Sequence, residues 1–218
     1  MPDFEYCNPI RTKVIPSIRD PQIVRLDDRY YLTGTLPPYW EGPNPGVRLW
    51  SSDDLLNWED EGLLIDAAAV PDDAWYKERF WAPEIHVARG MYFLTFNCRN
   101  ARDRFPHSVG IARASDIRGP YEIISLDAPL IERANDAHLF TDDDGRHYIA
   151  YASYFFICAQ EIRLPECRLT GRPWLMSRND TTGWDSGNID TVPWDRVGVE
   201  GPFMIKRRGK YYLWYSSW

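Results

Sequence analysis

Three carboxylic acids, Asp20, Asp136 and Glu200, each open a segment of similar pattern, although 116 and 64 positions separate them along the chain. The segments are Arg19 to Thr35 (RDPQIVRLDDRYYLTGT), Asn135 to Ala152 (NDAHLFTDDDGRHYIAYA) and Glu200 to Ser216 (EGPFMIKRRGKYYLWYS). A fourth, Trp81 to Asn97 (WAPEIHVARGMYFLTFN), carries Ala82 at the matching place, and Glu200 stands one place earlier in its own segment. Carboxyl groups gathered in a partly dry site cannot all ionise at their ordinary pKa, because like charges and desolvation push some of them up. One carboxyl kept protonated beside one kept ionised is the pair that general acid/base hydrolysis of a glycosidic bond requires. The local alternative is that Asp20 and Asp136 merely bond nearby backbone N–H groups at the start of a strand.

The elements that would bring these acids together follow from the repeat. Each segment reads as a short apolar strand, a polar turn and an aromatic-rich strand. Tyr30, Tyr92, His147 and Tyr211 occupy equivalent places, and Val47-Arg48-Leu49 and Val109-Gly110-Ile111 keep the 62-residue offset of the first two units. Alternation at Ile23/Arg25 and Val47/Leu49 fits half-buried strands. The turns Asp27-Asp28, Arg89-Gly90, Asp144-Gly145 and Arg208-Gly209 fit hairpins. Short hairpin strands recurring at a fixed period, about four to a unit, describe propeller blades. The expected fold is therefore all-β, a five-bladed β-propeller type present as an incomplete ring of about three and a half blades, within one domain over 1–218. Helix should be scarce, with loops at Leu36–Gly46, Ala67–Phe80 and Leu175–Val199. Equivalent blade positions surround one axis, so the acids should face a common channel.

Composition narrows the partner. Acidic residues outnumber basic ones, 32 to 25, for a net charge of −7, which disfavours nucleic acid. Lys206-Arg207-Arg208, the one dense basic cluster, reads as a hairpin tip. No run of about 18 apolar residues occurs, so no membrane span is expected. The opening Met1-Pro2-Asp3-Phe4-Glu5-Tyr6 lacks a secretory signal, which suggests the cytoplasm, or secretion if a signal has been removed. Ten Trp, 13 Tyr and 9 Phe serve mostly as strand packing, with some available to stack on a sugar ring. Cys7, Cys98, Cys158 and Cys167 lack zinc spacing and are expected as free, mostly buried thiols.

RDPQIV with YYLTGT, WAPEIH, NDAHLFTDDDG and VEGPFMIKRRGKYYLWYS together resemble, in order, glycoside hydrolase family 43, five-bladed propellers that include arabinofuranosidases, xylosidases and arabinanases. The resemblance implies an inverting glycosidase acting on arabinose- or xylose-containing glycans. It implies Asp20 as general base, Asp136 as the residue that orients the acid and tunes its pKa, and Glu200 as general acid. Trp81 and Ser153 match positions near the family's substrate pocket. The residues themselves call for no cofactor; the resemblance allows a central calcium ion beside a histidine of the closing blade. The third motif has NDAH where the family often has Asp-Pro, and the fourth blade's outer strands and a fifth blade have no counterpart here. Self-association or a second chain could complete the ring.

Other motifs read as structure. His86 and His138 are expected as buried histidines bonded to backbone, and Asp142-Asp143-Asp144-Gly145 as a hairpin turn, since it lacks the 12-residue pattern of a calcium loop. Asn179-Asp180-Thr181 matches a glycosylation sequon. The invertase and fructan-hydrolase group shares an RDP string and a Glu-Cys pair, here Arg19-Asp20-Pro21 and Glu166-Cys167, but has RDP in a later blade. A non-catalytic carbohydrate-binding or structural propeller remnant is the alternative of another class.

Overall fold

The computed structural model describes residues 14–15, 17–100, 107–178 and 198–217. Fifteen strands form four antiparallel sheets among these residues. Blade 1 comprises β1 (Arg19–Leu26), β2 (Arg29–Thr35), β3 (Gly46–Ser52) and β4 (Glu59–Asp66) in sequential order. Blade 2 runs β5 (Glu78–Ala88), β6 (Met91–Arg99), β7 (Ser108–Ala114) and β8 (Glu122–Ile123), with a short β9 (Ile131–Glu132) also paired to β7. Blade 3 is β10 (Asn135–Thr141), β11 (His147–Ser153), β12 (Phe156–Arg163) and β13 (Arg168–Arg178). The fourth sheet contains β14 (Val199–Arg207) and β15 (Lys210–Ser217). This is the incomplete propeller that the repeat predicts. The one helical element described is a single 3₁₀ turn at Ala67–Ala69, and among the described residues no helix is long and apolar enough to cross a membrane.

Hairpin chemistry sets the strand registers. Arg89 and Gly90 both take positive φ, as do Arg208 and Gly209, the conformation of two-residue turns whose twist matches that of the flanking strands. Two of the expected loops are shorter than their sequence suggests, because Glu78–Phe80 joins β5 and Leu175–Arg178 extends β13. The rest of the third loop, and with it the Asn179 sequon, lies outside the described residues.

Alternation lets each sheet bury both faces. Leu94 and Phe96 of β6 face blade 1, where they meet Tyr31, Val47 and Leu49, while Phe93 faces Leu139, Ile149 and Tyr151 of blade 3. Each such side chain, when fully buried, contributes about 1.5–3 kcal/mol. Successive inner strands adjoin one another, β1 with β5, β5 with β10 and β10 with β14, so the sheets array around an axis. The Asp142–Gly145 turn is the expected hairpin, and Asp142 also binds blade 4 by accepting hydrogen bonds from Lys206 Nζ and Tyr211 Oη. Lys206 therefore belongs to the blade 3–4 seam, and only Arg207 and Arg208 border the hairpin tip. Cys98 and Cys167 are buried and Cys158 half-buried, all three as free thiols; Cys7 lies outside the described residues.

Gly46 starts β3 at φ +117°, and a Cβ there would lie 2.0 Å from the Ile65 carbonyl oxygen. Both backbone strain and the clash oppose any side chain. Gly46→Ala is expected to lower unfolding free energy by about 2 kcal/mol or more, measured as a reduced urea midpoint at unchanged slope.

Candidate active site

One local device recurs at the head of every blade. The first strand slips register between Arg19 and Gln22, between Trp81 and Glu84, between Asn135 and His138, and between Glu200 and Phe203. Inside each slip one residue takes a left-handed conformation: Asp20 (φ 51°), Ala82 (φ 40°), Asp136 (φ 51°) and Gly201 (φ 63°). A bulge of this kind bends the strand and re-aims a side chain. Proline follows in three of the four blades, at Pro21, Pro83 and Pro202, where the missing N–H costs nothing because the bulge is unpaired.

Two consecutive places per blade thus build the site. Arg19, Trp81, Asn135 and Glu200 hold the last paired position, and Asp20, Ala82, Asp136 and Gly201 follow in the bulge. Asp20, Asp136 and Glu200 line both of two adjoining cavities of about 430 and 400 Å³. The first opens past Tyr39, Trp40, Trp81 and His107; the second leads along Gln22, Glu84 and Phe203. The structure therefore brings the three predicted acids together with Trp81.

Ser153 is not among the residues lining these cavities. Its neighbour Ala152 lines a small cavity with Asn135 and His107, and alternation along β11 turns Ser153 the other way. The Ser153 hydroxyl donates to the Arg133 carbonyl at 3.1 Å.

Side chains from one blade cap the bulge of the next. Thr35 Oγ1 accepts from the Ala82 N–H (2.8 Å) and donates to Asp20 Oδ2. Asn97, at the matching place in blade 2, accepts from the Asp136 N–H (3.0 Å) and donates through Nδ2 to Asp136 Oδ1 (2.8 Å). Blade 3 has Ala152 there, with no side chain to offer. The Gly201 N–H instead donates to Asp136 Oδ2 at 2.9 Å. Both Asp136 oxygens are consequently engaged as acceptors.

Burial raises the Asp136 pKa to about 7, helped by the charges of Glu200 and Asp20, while the bonds from Gly201 and Asn97 pull it back. Glu200 is also raised, by burial and then by Asp20, with Arg19 opposing. Both carboxyls are thus harder to ionise than an exposed acid, and Asp136 accepts hydrogen bonds from two donors.

The walls suit a flat, hydroxyl-rich ligand. Trp40 meets Trp81 edge-on at 5.1 Å, His107 stacks on Trp81 at 4.3 Å, and Arg19 lies 4.8 Å over Trp40. Burial, then Arg99 and Arg79, lowers the His107 pKa to about 4, which keeps the ring neutral near pH 7. Trp81 Nε1, His107 Nε2 and Asn135 Oδ1 are buried without a hydrogen-bond partner, leaving one indole donor, one amide acceptor and one imidazole nitrogen unmet. Sequence reasoning missed Arg19 and Asn135, although each stands one place before a predicted acid, and missed Thr35 and Asn97, which end the same repeat units. Trp40 and Tyr39 come from the Pro/Gly-rich loop and have no repeat to betray them.

Calcium takes six to eight oxygen ligands. Among the described residues, the group able to hold a metal is Glu84, His86 and His138, one carboxylate and two imidazoles, which does not suit that ion. His86 and His138 do not fit the expectation of purely backbone-bonded rings either, because both contact Glu84 Oε2, at 3.2 and 2.8 Å.

Because the folded-state pKa of Asp136 lies above its ordinary 3.8, the stability linked to it is complete below pH 4 and is lost as pH rises through about 7. Glu200 acts with the same sign. The melting temperature should accordingly fall between pH 5 and pH 8, and fall less in Asp136→Asn. Asn97→Ala, which removes one donor to that carboxylate, should cost about 1–3 kcal/mol and extend the fall to higher pH. Calorimetric scans across this pH range provide the check.

Comparison with known proteins agrees with this architecture. The model for "Glycosyl hydrolases family 43" matches residues 6–217. A xylan 1,3-beta-xylosidase of Vibrio sp is 28% identical, over 89% of this chain and 35% of its own length. A xylosidase/arabinosidase of Butyrivibrio fibrisolvens is 28% identical, over 96% of this chain and 38% of its own. The chain thus spans little more than a third of these curated relatives. The crystal structure of a thermostable family-43 glycoside hydrolase superposes with TM-score 0.79 at 30% identity, covering 98% of this chain and 67% of that one. With the match running almost end to end and the fold in agreement, the chain belongs to glycosyl hydrolases family 43.

Proposed function

We propose that this chain carries the acid/base machinery of an inverting glycosidase for arabinose- or xylose-containing glycans. The observation that carries the reading is that three acids from three blades line one cavity walled by Trp40 and Trp81. Glu200, its pKa raised by burial, gives its proton to the glycosidic oxygen as the bond to the anomeric carbon breaks. A water on the opposite face attacks that carbon and passes a proton to Asp20, so configuration inverts. The base and acid of such a reaction stand about 6.5–9.5 Å apart to admit the water. Asp136 stays an acceptor between Asn97 and Gly201, and its proximity to Glu200 raises the acid's proton affinity whenever Asp136 is charged. Trp81 and Trp40 offer stacking faces to the sugar, and Asn135 Oδ1 and Trp81 Nε1 offer partners for its hydroxyls.

A second reading, a sugar-binding or structural propeller without turnover, is favoured by the two-stranded fourth sheet. Phe203, Ile205, Tyr212 and Trp214 alternate along its two strands and remain exposed, a face that further propeller strands, from this or another chain, would cover. Hydrolysis of aryl arabinofuranoside and aryl xyloside separates the two readings. Asp20→Ala and Glu200→Ala are each expected to reduce kcat by at least about 10²-fold, with the fold retained by circular dichroism. Wild-type protein no faster than either variant defeats the catalytic reading, whereas retained sugar binding in all three supports the second.

A further inference from the structure

Below the ring of acids, the tunnel wall carries a second polar group. Glu84 and His138 lie two residues beyond Ala82 and Asp136 along β5 and β10, just past the register slips, and His86 follows Glu84 by two more. One donor atom from each lies within 4.8 Å of the other two. The rings of His86 and His138 meet edge to face at 5.1 Å.

Short contacts tie the group together. His86 Nε2 has the Leu139 N–H at 3.4 Å and Glu84 Oε2 at 3.2 Å. One imidazole nitrogen can accept from the first or donate to the second, but not both. His138 Nε2 faces the Met204 carbonyl at 3.3 Å, an arrangement that puts a proton on Nε2. The other nitrogen of that ring, Nδ1, lies 2.8 Å from Glu84 Oε2. Glu84 Oε2 thus lies beside both His86 Nε2 and His138 Nδ1, three atoms of metal-ligating type gathered in one place.

We propose that Glu84, His86 and His138 bind a divalent transition cation of the Zn²⁺ class across the seam between blades 2 and 3. Two imidazole nitrogens and one carboxylate oxygen are the donors such ions select, at bonds of about 2.0–2.2 Å. A tetrahedron with those bonds has edges of about 3.3 Å, so shifts on the order of one ångström bring the three atoms into place. The bond from His138 Nε2–H to the Met204 carbonyl is the outer contact that fixes the tautomer of a metal-binding histidine. The fourth position faces a tunnel cavity of about 400 Å³ lined by Gln22, His86, His138 and Phe203. Since Glu84 and His86 belong to blade 2 and His138 to blade 3, the ion clamps neighbouring blades and raises stability by mass action. This site is structural, and it stands independently of the glycosidase reading.

The test is calorimetric titration of the chelator-treated full chain with Zn²⁺ and, separately, with Ca²⁺, in reducing buffer. One Zn²⁺ site is expected, together with a higher melting temperature and no comparable response to Ca²⁺. The isosteric Glu84→Gln and the variant His86→Ala should each weaken Zn²⁺ binding at least tenfold. Melting curves without metal show whether the variants remain folded, and Glu84→Gln preserves shape if His86→Ala does not. Co²⁺ in place of Zn²⁺ should show visible absorption of tetrahedral coordination without the near-ultraviolet sulfur band. Zn²⁺ affinity unchanged in Glu84→Gln, a sulfur band that assigns the ion to Cys98, Cys158 or Cys167, or binding of Ca²⁺ in preference to Zn²⁺ would overturn the proposal. Loss of hydrolysis in Asp20→Ala or Glu200→Ala leaves every one of these readouts unmoved.

Discussion

The site depends on a left-handed residue held open by its neighbour. Asp20, Ala82, Asp136 and Gly201 adopt left-handed backbone angles, which cost the three non-glycine residues on the order of 1–3 kcal/mol each. The cost is offset because the bulge's exposed N–H finds a partner in the preceding blade: Thr35 for Ala82, Asn97 for Asp136 and the Asp136 carboxylate for Gly201. The same contacts aim the acids into the tunnel and join the sheets that carry them. Fold and site are one set of hydrogen bonds here.

Around that ring the hydrophobic seams have a simpler duty. Phe93 and Leu94 point to opposite neighbours because successive strand residues face opposite sides, so blade 2 is locked on both flanks. Blade 4 has a partner on one flank among the described residues, and its inner anchors are Leu213, Tyr215 and Val199 against Ile157 and Met176. The Lys206–Asp142 ion pair and the Tyr211 hydroxyl add a polar clasp at the same seam. Glu200 sits on this blade, so the position of one acid relative to the other two relies on these contacts.

Much of this is legible in the residues. Hairpin turns and a 62-residue offset reveal the blades, and three acids at matching places point to a shared axis. The repeat also explains what stays hidden. Thr35 and Asn97 end β2 and β6 as ordinary polar residues, and their task exists only once an adjacent blade presents an N–H to them. Ser153 looks equivalent to a pocket residue until the alternation of β11 turns it toward Arg133. Trp40 belongs to a loop whose course no periodicity governs. Glu84, His86 and His138 are polar residues in inner strands, and only the seam between blades shows that they converge.

Ala152 has a consequence for how substitutions at Asp136 should be understood. Because blade 3 supplies no side chain to the Gly201 amide, one carboxylate serves both as an element of charge and as a keystone of shape. Replacing it removes a group whose charge faces Glu200 and also the acceptor that holds the Gly201 amide beside Glu200. A deficit measured on such a variant therefore merges two origins. Restoring a hydroxyl or amide at position 152 would return the keystone to where the other blades keep it and leave Asp136 answerable for charge alone.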